Sequence, residues 1–270
     1  MKILLSLNYK FFKLEPKQLI ELIKKYDKKR IIKGFEIATN SEDDEKYVIE
    51  LSKIVVEENY IINLHSPSFD SLEKANRYIE FAVKISKITK RKLNIVYHPI
   101  NAKNITESKE KTKKQIDGLI KYIKLKRYLE NIEISIENLN DINKIERLKK
   151  EGLVEILERQ HNLKFTYDIG HEIIEGIKTE KLVPELEERL NNIHIHTYKK
   201  NLDHYPIKNI NDEKTIKKLL NKYSDNKTVV LEYALDYIEG DKFEIKLKNY
   251  IESAKKLDND KNNFLYSIIN

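Results

Sequence analysis

The chain has 270 residues, 40% hydrophobic and 35% charged, the proportions of a folded protein with a core and a heavily solvated exterior, not of a disordered chain. Its 51 basic and 44 acidic side chains leave a net charge of +7, but the signs are interspersed in segments such as 107–114 and 180–189, the pattern of solvated helix faces and not of a nucleic-acid-binding block. There is no cysteine, which excludes disulfides and thiolate metal sites and leaves any metal chemistry to histidine and carboxylate.

No run approaches the ~20 apolar residues of a membrane-spanning helix. The opening Met1–Leu7 is cut short by Asn8, Tyr9 and Lys10, too early for the apolar region of a signal peptide, so a cytoplasmic location is the expectation.

In chain order, Ile3–Leu7 reads as a first strand, and Pro16 suits the start of the helix after it. Gly34–Ala38 is a second strand, followed by a helix that Ser41 opens ahead of Glu42, Asp43 and Asp44. Tyr60–Leu64 is a third, with Ser71 before Glu73 and Lys74 as the next helix start. Leu93–Tyr97, Ile132–Ile136, Leu163–Tyr167, Asn192–His196 and Thr228–Leu231 follow, each trailed by a longer, charged, amphipathic segment. Runs of about five residues rich in Val, Ile, Leu and Tyr suit buried parallel strands. Strand-to-strand spacing of about 30 residues is that of βα units with right-handed crossovers.

Eight such units favour closure into a single-domain (β/α)₈ barrel, for which about 250 residues are typical. The barrel is expected over residues 1–257, with 258–270 as a tail. The polar cluster Asp258–Asn263 reads as the end of the last helix, and Phe264–Ile269 as a segment that docks on the barrel or on a partner. The glycines fall at 34, 118, 152, 170, 176 and 240 and form no glycine-rich phosphate turn, so no nucleotide cofactor is expected.

Active sites of such barrels lie at the C-terminal ends of the strands. Of the 7 histidines, all but His161 fall there. His65-Ser66-Pro67 ends the third run and His98-Pro99 the fourth, while Asp168-Ile169-Gly170-His171 ends the sixth. His194-Ile195-His196 sits in the seventh, with His204 in the loop beyond. Glu137, Asp168 and Glu232 close the fifth, sixth and eighth runs. Carboxylates at the ends of apolar strands are disfavoured by desolvation unless paired or metal-bound, so three at one barrel mouth call for a cation. Imidazole with carboxylate suits zinc, manganese, iron or cobalt better than magnesium. His194 and His196, two apart on a strand, share a face.

The ordered segments His65-Ser66-Pro67, Tyr97-His98-Pro99, Ile136-Glu137-Asn138, Tyr167-Asp168-Ile169-Gly170-His171, His194-Ile195-His196, His204-Tyr205-Pro206-Ile207 and Leu231-Glu232 resemble the xylose isomerase-like TIM-barrel superfamily. That superfamily includes sugar phosphate isomerases/epimerases, tagatose/psicose 3-epimerases and endonuclease IV. The resemblance to its isomerase branch implies one divalent metal on Glu137, Asp168, His194 and Glu232. It further implies that Glu137 and Glu232 exchange protons with a sugar or sugar-phosphate substrate through an enediolate, while His171, His196, Lys200 and Glu36 contact that substrate. The resemblance to endonuclease IV implies instead a zinc cluster that adds His65, His98, His171, Asp203 and His204, with DNA as substrate.

Two features favour the isomerase expectation. Asp203 is adjacent to His204, whereas the nuclease pattern places a residue between its Asp and His. The arginines, Arg147 among them, are expected in helices or at helix ends and not on the catalytic face, which leaves bidentate phosphate recognition poorly provided for. The oligomeric state is left open.

Overall fold

The structure is a computed structural model. It describes the chain apart from residues 142–146, 177–180, 200–201 and 270, and apart from the side chains of Glu42 and of 259–269.

Eight parallel strands close a barrel: β1 (Lys2–Leu7), β2 (Ile32–Ala38), β3 (Ile61–His65), β4 (Leu93–Tyr97), β5 (Ile132–Glu137), β6 (Leu163–Asp168), β7 (Leu190–Ile195) and, after a small ribbon, β10 (Thr228–Leu231). Around the barrel the order is β1-β10-β7-β6-β5-β4-β3-β2. The ribbon is an antiparallel pair, β8 (Thr197–Lys199) and β9 (Leu202–Tyr205), inserted between β7 and β10. Helices α1 (Pro16–Tyr26), α2 (Glu42–Glu57), α3 (Leu72–Thr89), α4 (Ile105–Leu125), α5 (Lys150–Arg159), α6 (Ile169–Ile174), α7 (Pro184–Arg189), α8 (Ile210–Tyr223) and α9 (Phe243–Ile269) follow the strands.

The expected helix starts have physical caps. Pro16 opens α1, where its missing N–H costs nothing. Ser41 Oγ accepts from the Asp44 backbone while the Asp44 carboxylate accepts from the Ser41 N–H, a reciprocal cap on α2. Ser71 caps α3 one way, its Oγ accepting from the Lys74 backbone N–H.

Strand alternation sorts the interior into two regions. Ile3, Leu5 and Leu7 of β1, Phe35 and Ile37 of β2, Ile134 and Ile136 of β5, Phe165 and Tyr167 of β6, and Ile193 and Ile195 of β7 face outward, where they join Leu19, Leu51, Ile79, Leu119 and Leu153 of the helices in one apolar cluster. Each such side chain contributes roughly 1.5–3 kcal/mol when fully buried. The intervening residues fill the lumen, and most are polar. Glu36 on β2 touches Asn192 on β7; these strands are not neighbours, so the contact crosses the barrel. At the seam, the Tyr250 hydroxyl from α9 accepts from the Ser6 and Tyr233 backbone N–H groups and donates to the Leu231 carbonyl, locking α9 onto the junction of β1 and β10.

Two local expectations differ from the structure. Thr197–Lys199 and Leu202–Tyr205, read as open loop, form the β8–β9 ribbon. Helix α9 also runs through Asp258–Asn263 to Ile269; with neither Gly nor Pro, the polar cluster costs the helix only tenths of a kcal/mol per residue, too little to stop it. No helix of the described residues is long and apolar enough to cross a membrane.

Candidate metal centre

Alternation along the inward faces carries Glu137, Asp168, His194 and Glu232 from β5, β6, β7 and the end of β10 to one point at the C-terminal mouth. Each offers a ligand atom within 4.8 Å of the others. His194 is the hub: its Nδ1 lies 3.0 Å from Glu137 Oε1 and from Glu232 Oε2, and 3.9 Å from Asp168 Oδ2. A backbone hydrogen bond from Glu232 N to Ile195 O, 3.0 Å, extends the β10–β7 pairing and sets Glu232 in place. Asp168 also caps α6, accepting from the His171 N–H at 2.9 Å, so the strand-to-helix turn presents both Asp168 and His171 to the mouth.

Three further donor groups adjoin this one among the described residues: Glu36, His65 and His194 lie beneath it, and two flank it. His65, His98 and Glu137 converge on one side; the two Nε2 atoms are 2.8 Å apart, and His98 Nε2 is 2.9 Å from Glu137 Oε2. His171, His196, Asp203 and His204 converge on the other, with the His196 and His204 rings stacked at 4.5 Å. The β8–β9 ribbon delivers Asp203 and His204 there. His204 adopts a left-handed backbone, φ 56°, a strained conformation for a non-glycine residue that the surroundings must hold; the Ala234 N–H anchors its carbonyl at 2.9 Å. The adjacency of Asp203 and His204 is thus no obstacle to a shared donor set.

The electrostatics follow from burial and juxtaposition. Burial alone pushes the Glu137 and Glu232 carboxyls up, but His194 outweighs it and holds both well below the usual carboxylate range. Burial likewise opposes the charge on His194, yet Glu36, Glu137 and Glu232 raise it well above an ordinary imidazole. For His65 the same carboxylates overcome burial and lift it to about 9. For His196, Asp168 and Asp203 lift it to about 10. His98 goes the other way, lowered by burial that Glu137 only partly offsets.

This donor set fits a divalent cation. It is sulfur-free, mixing imidazole with carboxylate. Glu232 Oε2 is buried and forms no well-aligned hydrogen bond despite its nearness to His194 Nδ1, because that ring nitrogen is aimed at Glu137. A buried carboxylate oxygen without a donor is costly unless a cation faces it.

Above the centre opens a cavity of 370 Å³ whose walls include His65, Ser66, His98, Glu137, Arg147, His171, Asp203, His204 and Glu232. Of the residues expected at the substrate, His171 lines this cavity. Glu36 and His196 do not: both are fully buried, Glu36 beneath His194 and His196 behind Asp168, 3.0 Å away. The reason is depth, since Glu36 lies two residues before the strand end. Lys200 lies outside the described residues. His161 stays apart, paired with Arg189 at 3.0 Å.

Arg147 corrects the expectation that the catalytic face lacks arginine. It stands just before α5, with Nε donating to Asn101 at 3.2 Å, and its half-buried guanidinium lines the cavity. Burial lowers its pKa, opposed by Glu137, Asp203 and Asp141. Sequence reasoning also missed Asn138 and Asn192. The Asn138 side chain exchanges two hydrogen bonds with the Asp168 backbone, and its carbonyl is 2.8 Å from His171 Nδ1. Asn192 sits two residues before His194 on the same strand face and donates to Glu36 at 2.9 Å; that spacing was the available signal.

No protein family and no curated protein matches the sequence. Solved structures do match the fold. An L-ribulose 3-epimerase superposes with a TM-score of 0.71 at 10% identity over 98% of this chain and 97% of its own. A D-psicose 3-epimerase with D-tagatose from Clostridium cellulolyticum H10 gives 0.67 at 14% identity over 95% and 99%. A xylose isomerase domain protein from Alicyclobacillus acidocaldarius subsp. acidocaldarius gives 0.65 at 11% identity over 96% and 99%. The likeness shows the fold: a (β/α)₈ barrel that these proteins share.

Proposed function

We propose that this protein is a divalent-metal-dependent isomerase or epimerase that moves a proton at the carbon beside a carbonyl of a small sugar or a related polyol. The observation that carries the reading is the pair Glu137 and Glu232. Rising from strands on different sides of the mouth, both carboxylates reach His194 Nδ1 at 3.0 Å and both line the cavity.

Glu137, Asp168, His194 and Glu232 would hold the ion; zinc, manganese, cobalt and iron suit the donors. When bound, it supplies a Lewis acid that acidifies the C–H next to a coordinated carbonyl. The two glutamates are kept ionised by His194, so each is free to take a proton. One removes it from one face of the substrate and the other returns one to the opposite face through an enediolate. His98, His171, His204 and Arg147 line the walls and offer hydrogen bonds to substrate hydroxyls. The sugar epimerases that share the fold support the substrate class.

The test is solvent deuterium entry at the α-carbon across a panel of ketoses and their phosphates. Exchange that Glu137→Gln reduces by about 10²–10⁴-fold, the usual contribution of a positioned base, supports the reading; no exchange with any sugar sinks it.

One observation favours a second reading, a metal-dependent phosphodiesterase of the endonuclease IV kind. The flanking groups His65, His98, Glu137 and His171, His196, Asp203, His204 are each compact enough for an ion of their own. About three zinc ions per chain together with incision of abasic-site DNA would establish it; a single bound ion rejects it.

A further inference from the structure

Glu36 is a charged side chain with no solvent access, placed in the lumen behind the metal centre. It is paired in register with Ser6 of β1 and Asn63 of β3, and inward alternation aims it across the barrel. Its Oε1 lies 2.8 Å from His194 Nε2 and 3.2 Å from His65 Nδ1. Its Oε2 accepts from Asn192 Nδ2 at 2.9 Å. In His194 the nitrogen facing Glu36 is the one turned away from the mouth, since Nδ1 meets Glu137, Asp168 and Glu232; in His65 it is Nδ1, which also lies 3.5 Å from Glu232 Oε1, while Nε2 meets His98 and Glu137.

We propose that Glu36 is a positioning residue for the metal centre, a single buried carboxylate that takes the rear N–H of both His194 and His65 and so fixes opposite tautomers in the two rings. His194 then carries its proton on Nε2 and offers Nδ1 to the ion. His65 carries its proton on Nδ1 and offers Nε2. A carboxylate behind a ligating imidazole holds its tautomer and orientation and raises its basicity. One that serves two rings also fixes them relative to each other.

Asn192 Nδ2 is also 3.0 Å from His194 Nε2, which would suit an acceptor there. But Asn192 already donates to Glu36, whose other oxygen has no well-aligned hydrogen bond. Leaving that buried oxygen without a donor costs more than leaving a neutral ring nitrogen without one. The Nε2–H therefore goes to Glu36, and the Asn192 contact is the approach of two donors around one carboxylate.

The proposal rests on the reading that Glu137, Asp168, His194 and Glu232 hold a divalent ion, and the experiment separates the two. Full-length wild-type and Glu36→Gln proteins are titrated with zinc against a chromophoric chelator, and the zinc-loaded, ¹⁵N-labelled wild type is examined for histidine tautomers by long-range ¹H–¹⁵N correlation. The expected result is unchanged stoichiometry, zinc affinity lowered by about 10–100-fold in Glu36→Gln, and Nε2–H on His194 with Nδ1–H on His65 in the wild type. Affinity within about twofold of wild type, or the reverse tautomer on His194, overturns the proposal. Loss of a whole zinc equivalent also overturns it, because Glu36 would then be a ligand. If the wild type binds no zinc, the metal reading itself fails and takes the proposal with it. Should Glu36→Gln not fold, Glu36→Asp, which draws the charge back by one methylene, is held to the same outcomes.

Discussion

Gly170, in the Asp168-Ile169-Gly170-His171 turn, is required by a close approach and not by backbone conformation. A Cβ added there would stand 2.5 Å from His196 Cγ and nearer still to two other ring atoms, whereas carbon contacts settle at about 3.5–4.0 Å. The His196 ring would have to retreat by about 1 Å. It has nowhere to go, being fully buried and stacked on His204 at 4.5 Å, and retreat would break its 3.0 Å contact with Asp168 Oδ2. Overpacking and the loss of one charge-assisted contact together predict a cost of about 2–4 kcal/mol for Gly170→Ala, a fall in unfolding midpoint of roughly 4–8 °C. Zinc affinity should fall as well, because Asp168 loses the group that holds it. Thermal unfolding of Gly170→Ala, His196→Ala and the double variant tests the cause: with the ring removed, the extra methyl group on the turn should cost almost nothing. A single variant within about 0.5 kcal/mol of wild type, or two changes that simply add, would refute the clash with His196.

Further outcomes follow from the same geometry. In the metal-free protein the folded-state pKa values of His65, about 9, and His196, about 10, lie above the unfolded value of 6.5; the stabilisation they give is therefore complete below about pH 6.5 and is lost toward pH 9–10. Urea midpoints of chelator-treated protein should decline across that window, while zinc affinity should rise, since ligation displaces the His194 Nδ1 proton; calorimetry in buffers of different ionisation enthalpy would register its release. Zinc at about 100 times its dissociation constant should add about 2.7 kcal/mol of stability, an increment that a chelator scan should remove. Arg147→Met should raise KM at least tenfold for the sugar that the enzyme turns over, with a smaller change in kcat; an unaltered KM would show that the guanidinium does not touch substrate. Tyr250→Phe keeps the ring stacked on Tyr233 but leaves buried backbone groups of Ser6, Leu231 and Tyr233 without its hydroxyl, at a cost of about 1–3 kcal/mol, with zinc affinity unchanged.

The barrel was legible because its signals are local. Apolar runs of strand length recur at βα spacing, and Pro16, Ser41 and Ser71 mark helix starts through contacts within four residues. The cluster at the mouth was legible for a related reason. Residues at the ends of parallel barrel strands must meet at one mouth, so Glu137, Asp168, Glu232 and the histidines could be placed together from their positions along the strands, and the family resemblance singled out His194 among the histidines. The polar lumen was partly visible as well: Asn192, His194 and His196 alternate with Ile193 and Ile195 in the sequence itself.

What sequence could not supply was depth and reach. Glu36 and Glu137 both sit near strand ends, but two residues of strand, about 6–7 Å, put the first below His194 and the second in the cavity wall. Arg147 follows a connection whose course local pattern does not set, and its arrival beside the cavity depends on contacts with Asn101 and Asp141. The chain by itself determined which residues crowd the mouth, because parallel strands and period-two alternation leave little choice. Only the tertiary structure decided which of them line the cavity and which stand behind the inner cluster, because that division is made across the lumen, between strands far apart in sequence.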